Sequence, residues 1–354
     1  MTSYSVDFME WEITTACNAA CPQCPRNYYG GSTLPQLPII KRNLSWSKKH
    51  LPVDFIKQLT RIDFCGTYGD PISNNHILDI IRWLKTINPE LRITIKTNGS
   101  LRNTMWWQRL AGLLSDNDVV FFAIDGLADT NHIYRRKTNF NKIIENATTF
   151  IKHGGQAHWN FIVFKHNEHQ VDAAQKFSQQ LGFKEFHVKL TSRFFNKNHQ
   201  LNPALTVFTK HGHPEYQIEL PTDSKYINNS YSKIEFIKSY KQTKIFCNNR
   251  RLNKIYLSAE GLVFPCGWLH DRMYGYESEQ HPDHKLLYQL FETAGGKYLA
   301  DINYTDINGI IQGPWFNTLI ASWDNPDQRL NRCEVICGNS INLIGDQNKL
   351  VNAF

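Results

Sequence analysis

The chain has 354 residues, enough for one large domain or a large and a small one. Hydrophobic residues make up 41% and charged residues 20%, a globular balance that excludes a largely disordered chain. The net charge of +7 comes without a dense basic run, so nucleic acid is not an expected partner, and no segment nears the ~18 apolar residues of a membrane span.

Strands are predicted over residues 8–15, 61–65, 92–96, 119–124, 157–164 and 185–190, each rich in Ile, Val, Phe or Trp. Helices alternate with them. Residues 75–86 place Ile77, Ile80, Ile81 and Leu84 on one face. Residues 104–114 follow the third strand. Residues 140–153 carry Ile143, Ile144, Ala147 and Ile151 and stop at Gly154-Gly155, and residues 168–181 end at Gly182. Six β-α alternations predict an α/β fold: a partial (β/α)6 barrel over residues 1–192 with its chemistry at the C-terminal strand ends. Residues 193–245 lack clear periodicity and read as a connector or substrate-facing insertion. Residues 246–354 read as a small cysteine-bearing module, in which 256–265 resemble a β-hairpin turning at Glu260-Gly261.

The N-terminus has polar and acidic residues where a signal peptide would be apolar, so the expected location is the cytoplasm. Thiols stay reduced there, and eight cysteines point to metal ligation or catalysis rather than disulfides.

Cys17, Cys21 and Cys24 follow the first strand as C-x3-C-x2-C. Iron–sulfur clusters normally take four thiolates. A local set of three leaves one iron of a cubane open to a small chelating ligand. A structural zinc site is the rival, since a second cysteine set exists downstream.

The spacing resembles the radical S-adenosylmethionine (SAM) superfamily, and Cys21-Pro-Gln-Cys24-Pro-Arg26 resembles its C-P-x-C-P-R variant, although Gln23 replaces the usual aromatic residue. The resemblance implies that the open iron binds SAM's methionine and that one electron cleaves SAM to a 5′-deoxyadenosyl radical. It implies an electron donor such as flavodoxin or ferredoxin. Further motifs sit at strand ends. Gly66-Thr-Tyr-Gly69-Asp70-Pro71 resembles G-G-E-P, with Asp70 for Glu. Thr97-Asn98-Gly99 resembles T-N-G, and Ile124-Asp125-Gly126 resembles S-I-D-G. Arg135 and Asn167 stand where relatives carry an Arg and an Asn. By this resemblance Gly69, Asp70, Thr97, Asn98, Asp125, Arg135 and Asn167 bind SAM. Taken alone, these motifs read equally as turns, caps and surface charges.

Cys247, Cys266, Cys333 and Cys337 form the second set. Gly261-Leu-Val-Phe-Pro-Cys266 resembles the opening of a SPASM domain. Four ligands fit its shortened form, the twitch domain, which implies an auxiliary [4Fe–4S] cluster. Zinc on the same four thiolates stays open, as does a cluster with one thiol free. Cys65 ends an apolar strand and reads as core, with a hydrogen-atom donor as the alternative. The fourteen histidines show no metal-ligand spacing.

An auxiliary cluster implies oxidative modification of a peptide or protein, with a sugar or amino-cyclitol alcohol as the second substrate class. A zinc-bearing binding protein without catalysis is the reading from another class. Trp268, Trp315, Phe316 and Trp323 suit either a substrate surface or ordinary core.

Overall fold

The computed structural model describes residues 4–191, 193–194, 202–227, 244–274, 281–338 and 351–352. In chain order the strands are β1 (Phe8–Trp11), β2 (Arg61–Phe64), β3 (Arg92–Thr97), β4 (Val119–Ala123), β5 (Ala157–Val163), β6 (Glu185–Leu190), β7 (Ala204–Phe208), β8 (Pro214–Glu219), β9 (Lys254–Leu257), β10 (Val263–Phe264) and β11 (Val351–Asn352). All six strands expected from the sequence are present; the first ends four residues earlier, at Trp11, and the others agree within one residue. The pairing is mostly parallel, and the fold is α/β.

Contacts divide the chain into two compact units that do not follow chain order. The first holds Met1–Ala16, Gln36–Arg92 and Ile237–Leu343; the second holds Cys17–Pro35, Ile93–Phe236 and Ile344–Phe354.

In the first unit β1 pairs in parallel with β2 on one side and β9 on the other. The register sets Trp11 opposite both Phe64 and Leu257, and all three are fully buried. Helix Ile77–Ile87 buries the expected stripe Ile77, Ile80, Ile81 and Leu84. Burying each such side chain contributes ~1.5–3 kcal/mol. The expected hairpin at 256–265 is present as β9 and β10. Gly261 sits at φ +111°, a conformation that glycine reaches without strain, and Ser258 accepts its N–H at 3.1 Å. Helices Pro282–Thr293 and Pro314–Ser322 pack behind the hairpin, with the Phe291 and Trp315 rings 4.5 Å apart and Trp315 Nε1 donating to the Val263 carbonyl. Trp315 and Phe316 are core, fully buried.

In the second unit β3, β4, β5 and β6 run parallel in that order, and β11 adds antiparallel to β6. Helices Thr104–Ala111, Phe140–Lys152 and Val171–Gln180 fall between successive strands, the last entered through a 3-10 turn at Glu168–Gln170. The aperiodic connector expected at 193–245 is corrected in part. Its described portion contains the antiparallel hairpin β7–β8, with a bulge at Val207/Phe208. Val207 and Ile218 are the fully buried apolar residues of this hairpin, so the period-2 signal was too thin to read. Residues 195–201 and 228–243 of that connector lie outside the described residues. Among the described residues, no helix is long and apolar enough to cross a membrane.

Candidate metal and cofactor centres

Cys17, Cys21 and Cys24 all lie on the stretch directly after the first unit's β1 segment, within the second unit. The loop is wound by its own backbone. Cys24 donates its N–H to the Cys21 carbonyl, and Asn27 donates to Cys24. Its floor is apolar: Ala19 and Cys21 pack with Tyr134, Phe164, Val207 and Ile218, and Cys17 and Cys24 lie against the same cluster. The β7–β8 hairpin therefore supports the thiol loop. Gln23 is held at both ends. Arg193 Nη1 donates to the Gln23 carbonyl at 2.6 Å, and Thr191 Oγ1 donates to Gln23 Oε1 at 3.0 Å. Burial and the neighbouring Cys21 push the Cys24 thiol up to about 11.

Polar side chains reach the sulfurs of Cys17 and Cys21. Asn98 Nδ2 lies 3.8 Å from Cys17 Sγ and donates to Asn18 Oδ1 at 3.0 Å. Arg135 Nη1 lies 3.6 Å from Cys21 Sγ, while its Nε donates to Asp125 Oδ2 at 2.6 Å. Asp125 is fully buried, and its Oδ1 accepts the Ile162 N–H. Burial pushes this carboxyl up against the pull of Arg135. Asn167 is also fully buried. Its Nδ2 donates to the Asp125 and Ile162 carbonyls, and its Oδ1 accepts the Phe164 N–H. Thr97 Oγ1 accepts the Gly99 N–H, which sets the turn that presents Asn98. Thus Cys17, Cys21, Asn98, Asp125, Arg135 and Asn167 form one connected set in the second unit.

Gly69 and Asp70 belong to the first unit. A Cβ on Gly69 would stand 1.7 Å from the Thr14 carbonyl oxygen, so this glycine is required by backbone packing. Asp70 Oδ1 accepts the Ile72 N–H and opens the 3-10 turn Pro71–Ser73. Sequence reasoning missed the group that holds this loop. Glu12 is fully buried, and its Oε1 accepts the N–H groups of Tyr68 and Gly69 at 2.7 and 2.9 Å. Its Oε2 accepts the Tyr256 hydroxyl at 2.6 Å. His270 Nδ1 lies 3.0 Å from that hydroxyl, and its Nε2 lies 3.1 Å from Glu260 Oε2. Burial opposes charge on both partners. The pairing nonetheless raises His270 and holds Glu260 down to about 2, so the two form an internal ion pair. A glutamate inside the first strand, between Trp11 and Ile13, was the available signal.

The second thiol set gathers in the first unit. Cys247 precedes the short helix Asn248–Arg251, and Cys266 precedes helix Gly267–Tyr274. Cys333 and Cys337 stand one turn apart on Asn331–Cys337, hence on one face. All four line one pocket, partly open to solvent, together with Trp268 and Trp323. Asp283 receives the N–H groups of Asn331 and Arg332, fixing the start of the helix that presents the last two cysteines. A hydrogen bond from Cys337 holds the Cys247 thiol down to about 7, while burial pushes Cys266 up to about 12. Buried thiols packed this way fit a centre that replaces their protons with metal. The eight cysteines include no disulfide. Cys65 stands outside both sets, buried, with its Sγ donating to Glu10 Oε1.

Among the described residues, one grouping of three ligand atoms is tight enough for a single metal ion, and it contains no cysteine. It is His158, Glu185 and His187. The histidines show no metal-ligand spacing in the sequence, and this grouping is made by the fold. Pairing of β5 with β6 brings these residues together, and no local spacing records it.

The radical SAM superfamily profile matches residues 11–177. SuiB of Streptococcus suis bound to S-adenosylmethionine superposes at a TM-score of 0.50 with 14% identity, covering 75% of this chain and 61% of SuiB. The same protein bound to its precursor peptide SuiA gives 0.49 at 14% identity, covering 79% and 64%. BtrN in complex with AdoMet and 2-DOIA gives 0.44 at 12% identity, covering 92% and 90%. The chain thus spans about three fifths of the length of SuiB. No curated protein sequence matches it. Over residues 11–177 the chain is thus similar to the radical SAM superfamily.

Proposed function

We propose that this chain is a radical SAM enzyme of the SPASM/twitch subgroup that oxidatively modifies a peptide or protein. One observation carries the reading. The second unit contains three cysteines in its whole sequence, Cys17, Cys21 and Cys24, wound onto one loop, with Arg135 at Cys21 and Asn98 at Cys17. A cubane on that loop keeps one iron without a thiolate from the unit, which is the coordination that SAM requires. When bound, the cluster and SAM supply one-electron cleavage to a 5′-deoxyadenosyl radical that abstracts a substrate hydrogen.

The chain's own residues do the positioning. Cys17, Cys21 and Cys24 hold the cluster. Arg135 offsets thiolate charge at Cys21 and is itself fixed by Asp125, whose backbone carbonyl is held by Asn167. Asn98 approaches Cys17 from the turn made by Thr97. Gly69 and Asp70 present the loop that Glu12 secures, and this loop serves the methionine end of SAM. Cys247, Cys266, Cys333 and Cys337 would hold an auxiliary [4Fe–4S] cluster, which would supply an acceptor for the second electron of the oxidation.

In this reading residues 1–192 are the partial barrel, 193–245 the connector and 246–354 the auxiliary-cluster domain. The chain works in the cytoplasm with a flavodoxin- or ferredoxin-type donor.

The test is anaerobic reconstitution with iron and sulfide, then reductant, SAM and peptides encoded beside the gene. About eight irons per chain, 5′-deoxyadenosine and a peptide lighter by two hydrogens support the proposal. Oxidation of a sugar or amino-cyclitol alcohol with peptides untouched would move the substrate class. Zinc without iron would leave a binding protein.

A further inference from the structure

Strands β5 and β6 place His158 opposite Glu185, with His187 two residues on from Glu185 and on the same face. Three ligand atoms converge there. His187 Nε2 is 3.0 Å from Glu185 Oε2 and 3.1 Å from His158 Nδ1, and His158 Nδ1 is 3.5 Å from the same carboxylate oxygen. The two ring nitrogens share a hydrogen bond whose direction depends on the tautomers; with the protons on His158 Nε2 and His187 Nδ1 instead, all three atoms offer lone pairs. One cation at the centre would satisfy them together.

The triangle has the right size. The point equidistant from its corners lies ~1.9 Å from each, and raising it ~0.9 Å out of the plane gives ~2.1 Å, the bond length of zinc to imidazole nitrogen and carboxylate oxygen. The displaced position leaves one face open for water. The rings are also fixed in place. Phe121 packs against both, at 4.9 Å from His158 and 5.6 Å from His187. His187 is buried and its Nδ1 has no partner among the described residues. Ligation through Nε2 would fix the ring's proton on Nδ1. Glu185 is exposed and gives the ion a route from solvent.

We propose that His158, Glu185 and His187 bind one divalent transition-metal cation, with zinc as the probe, clipping β5 to β6. Two imidazoles and one carboxylate form a ligand set that suits zinc or ferrous iron. The site shares no residue with either cysteine set, so it stands or falls apart from the radical SAM reading.

The experiment uses the full chain loaded anaerobically with iron and sulfide. Zinc is added, unbound metal is removed, and iron and zinc are counted by mass spectrometry alongside the thermal unfolding midpoint. One zinc per chain, unchanged iron and a higher midpoint are expected. His158→Gln and His187→Gln should lose the zinc and the midpoint shift, and Glu185→Gln should bind zinc about tenfold more weakly or worse. If His187→Gln fails to fold, Glu185→Gln at the exposed ligand still decides. Failure of the unaltered chain to retain zinc would overturn the proposal. So would zinc retained equally by the His158→Gln and Glu185→Gln variants.

Discussion

Replacing Arg135 by Met tests the link between the thiol loop and the strand ends. The guanidinium donates to a carboxylate that is fully buried, while Arg135 itself keeps 16% of its side chain exposed. Removing one partner of a buried pair costs ~3–5 kcal/mol, because the other charge is left uncompensated. Asp125 keeps the N–H of Ile162, which places the expected loss near the lower end, ~3 kcal/mol. The loss should depend on pH. Burial already raises Asp125, and without Arg135 it rises further. A carboxyl whose folded pKa exceeds its unfolded value binds more protons in the folded state, so stability falls as pH rises from the unfolded value to the folded one. The deficit of Arg135→Met should therefore grow from pH 5 towards neutrality. Anaerobic urea unfolding at several pH values measures it, and Arg135→Met with Asp125→Asn should recover most of the loss. A deficit below ~0.5 kcal/mol, or one independent of pH, would refute the buried-pair account.

Four further outcomes are expected. Cys17→Ala, Cys21→Ala and Cys24→Ala should each abolish 5′-deoxyadenosine formation and lower iron from about eight towards about four per chain. Cys333→Ala should keep some SAM cleavage while losing product, and full product from that variant would remove the electron-relay role. Gly69→Ala should destabilise the loop by about 3 kcal/mol or more in urea unfolding, since the Thr14 carbonyl occupies the space of a Cβ. The His270–Glu260 pair should matter most between pH 4.5 and 6.5. His270 is raised, so its contribution is full below 6.5 and fades as pH rises through the folded value. Glu260 is held down to about 2, so its part fades only as pH falls from 4.5 towards that value. The stability difference between the native chain and His270→Asn, followed against pH, checks both limbs.

What could be read from the sequence was local. The apolar stripe Ile77, Ile80, Ile81 and Leu84 announced its helix because a 3.6-residue period survives in one segment. C-x3-C-x2-C was legible because its ligands share one loop. Helix Leu44–His50 passed unnoticed because Ser47 is its buried position and offers no apolar pattern. Likewise β9 carried no sign that it would pair with β1, nearly 250 residues earlier, since a parallel partner leaves no mark on either strand's own sequence. Glu12, His270 and Glu260 were hidden for the same reason. Each looks like a surface charge until the fold encloses it, Glu12 and His270 fully and Glu260 in large part.

The second cysteine set joins these two kinds of information. Cys333 and Cys337 are a local pair on one helical turn, whereas Cys247 and Cys266 arrive from separate segments. Four largely buried thiols in one pocket oppose folding when each keeps its proton and gains no partner. Metal ligation exchanges those protons for bonds, so the free energy of binding becomes free energy of folding for the segments that supply the ligands. The helix Asn331–Cys337 has seven residues, too few to persist alone. It is held by the cap from Asp283 and the buried pair of Arg329 with Glu334. Protein contacts thus prepare the position of Cys333 and Cys337, and a metal centre would lock it.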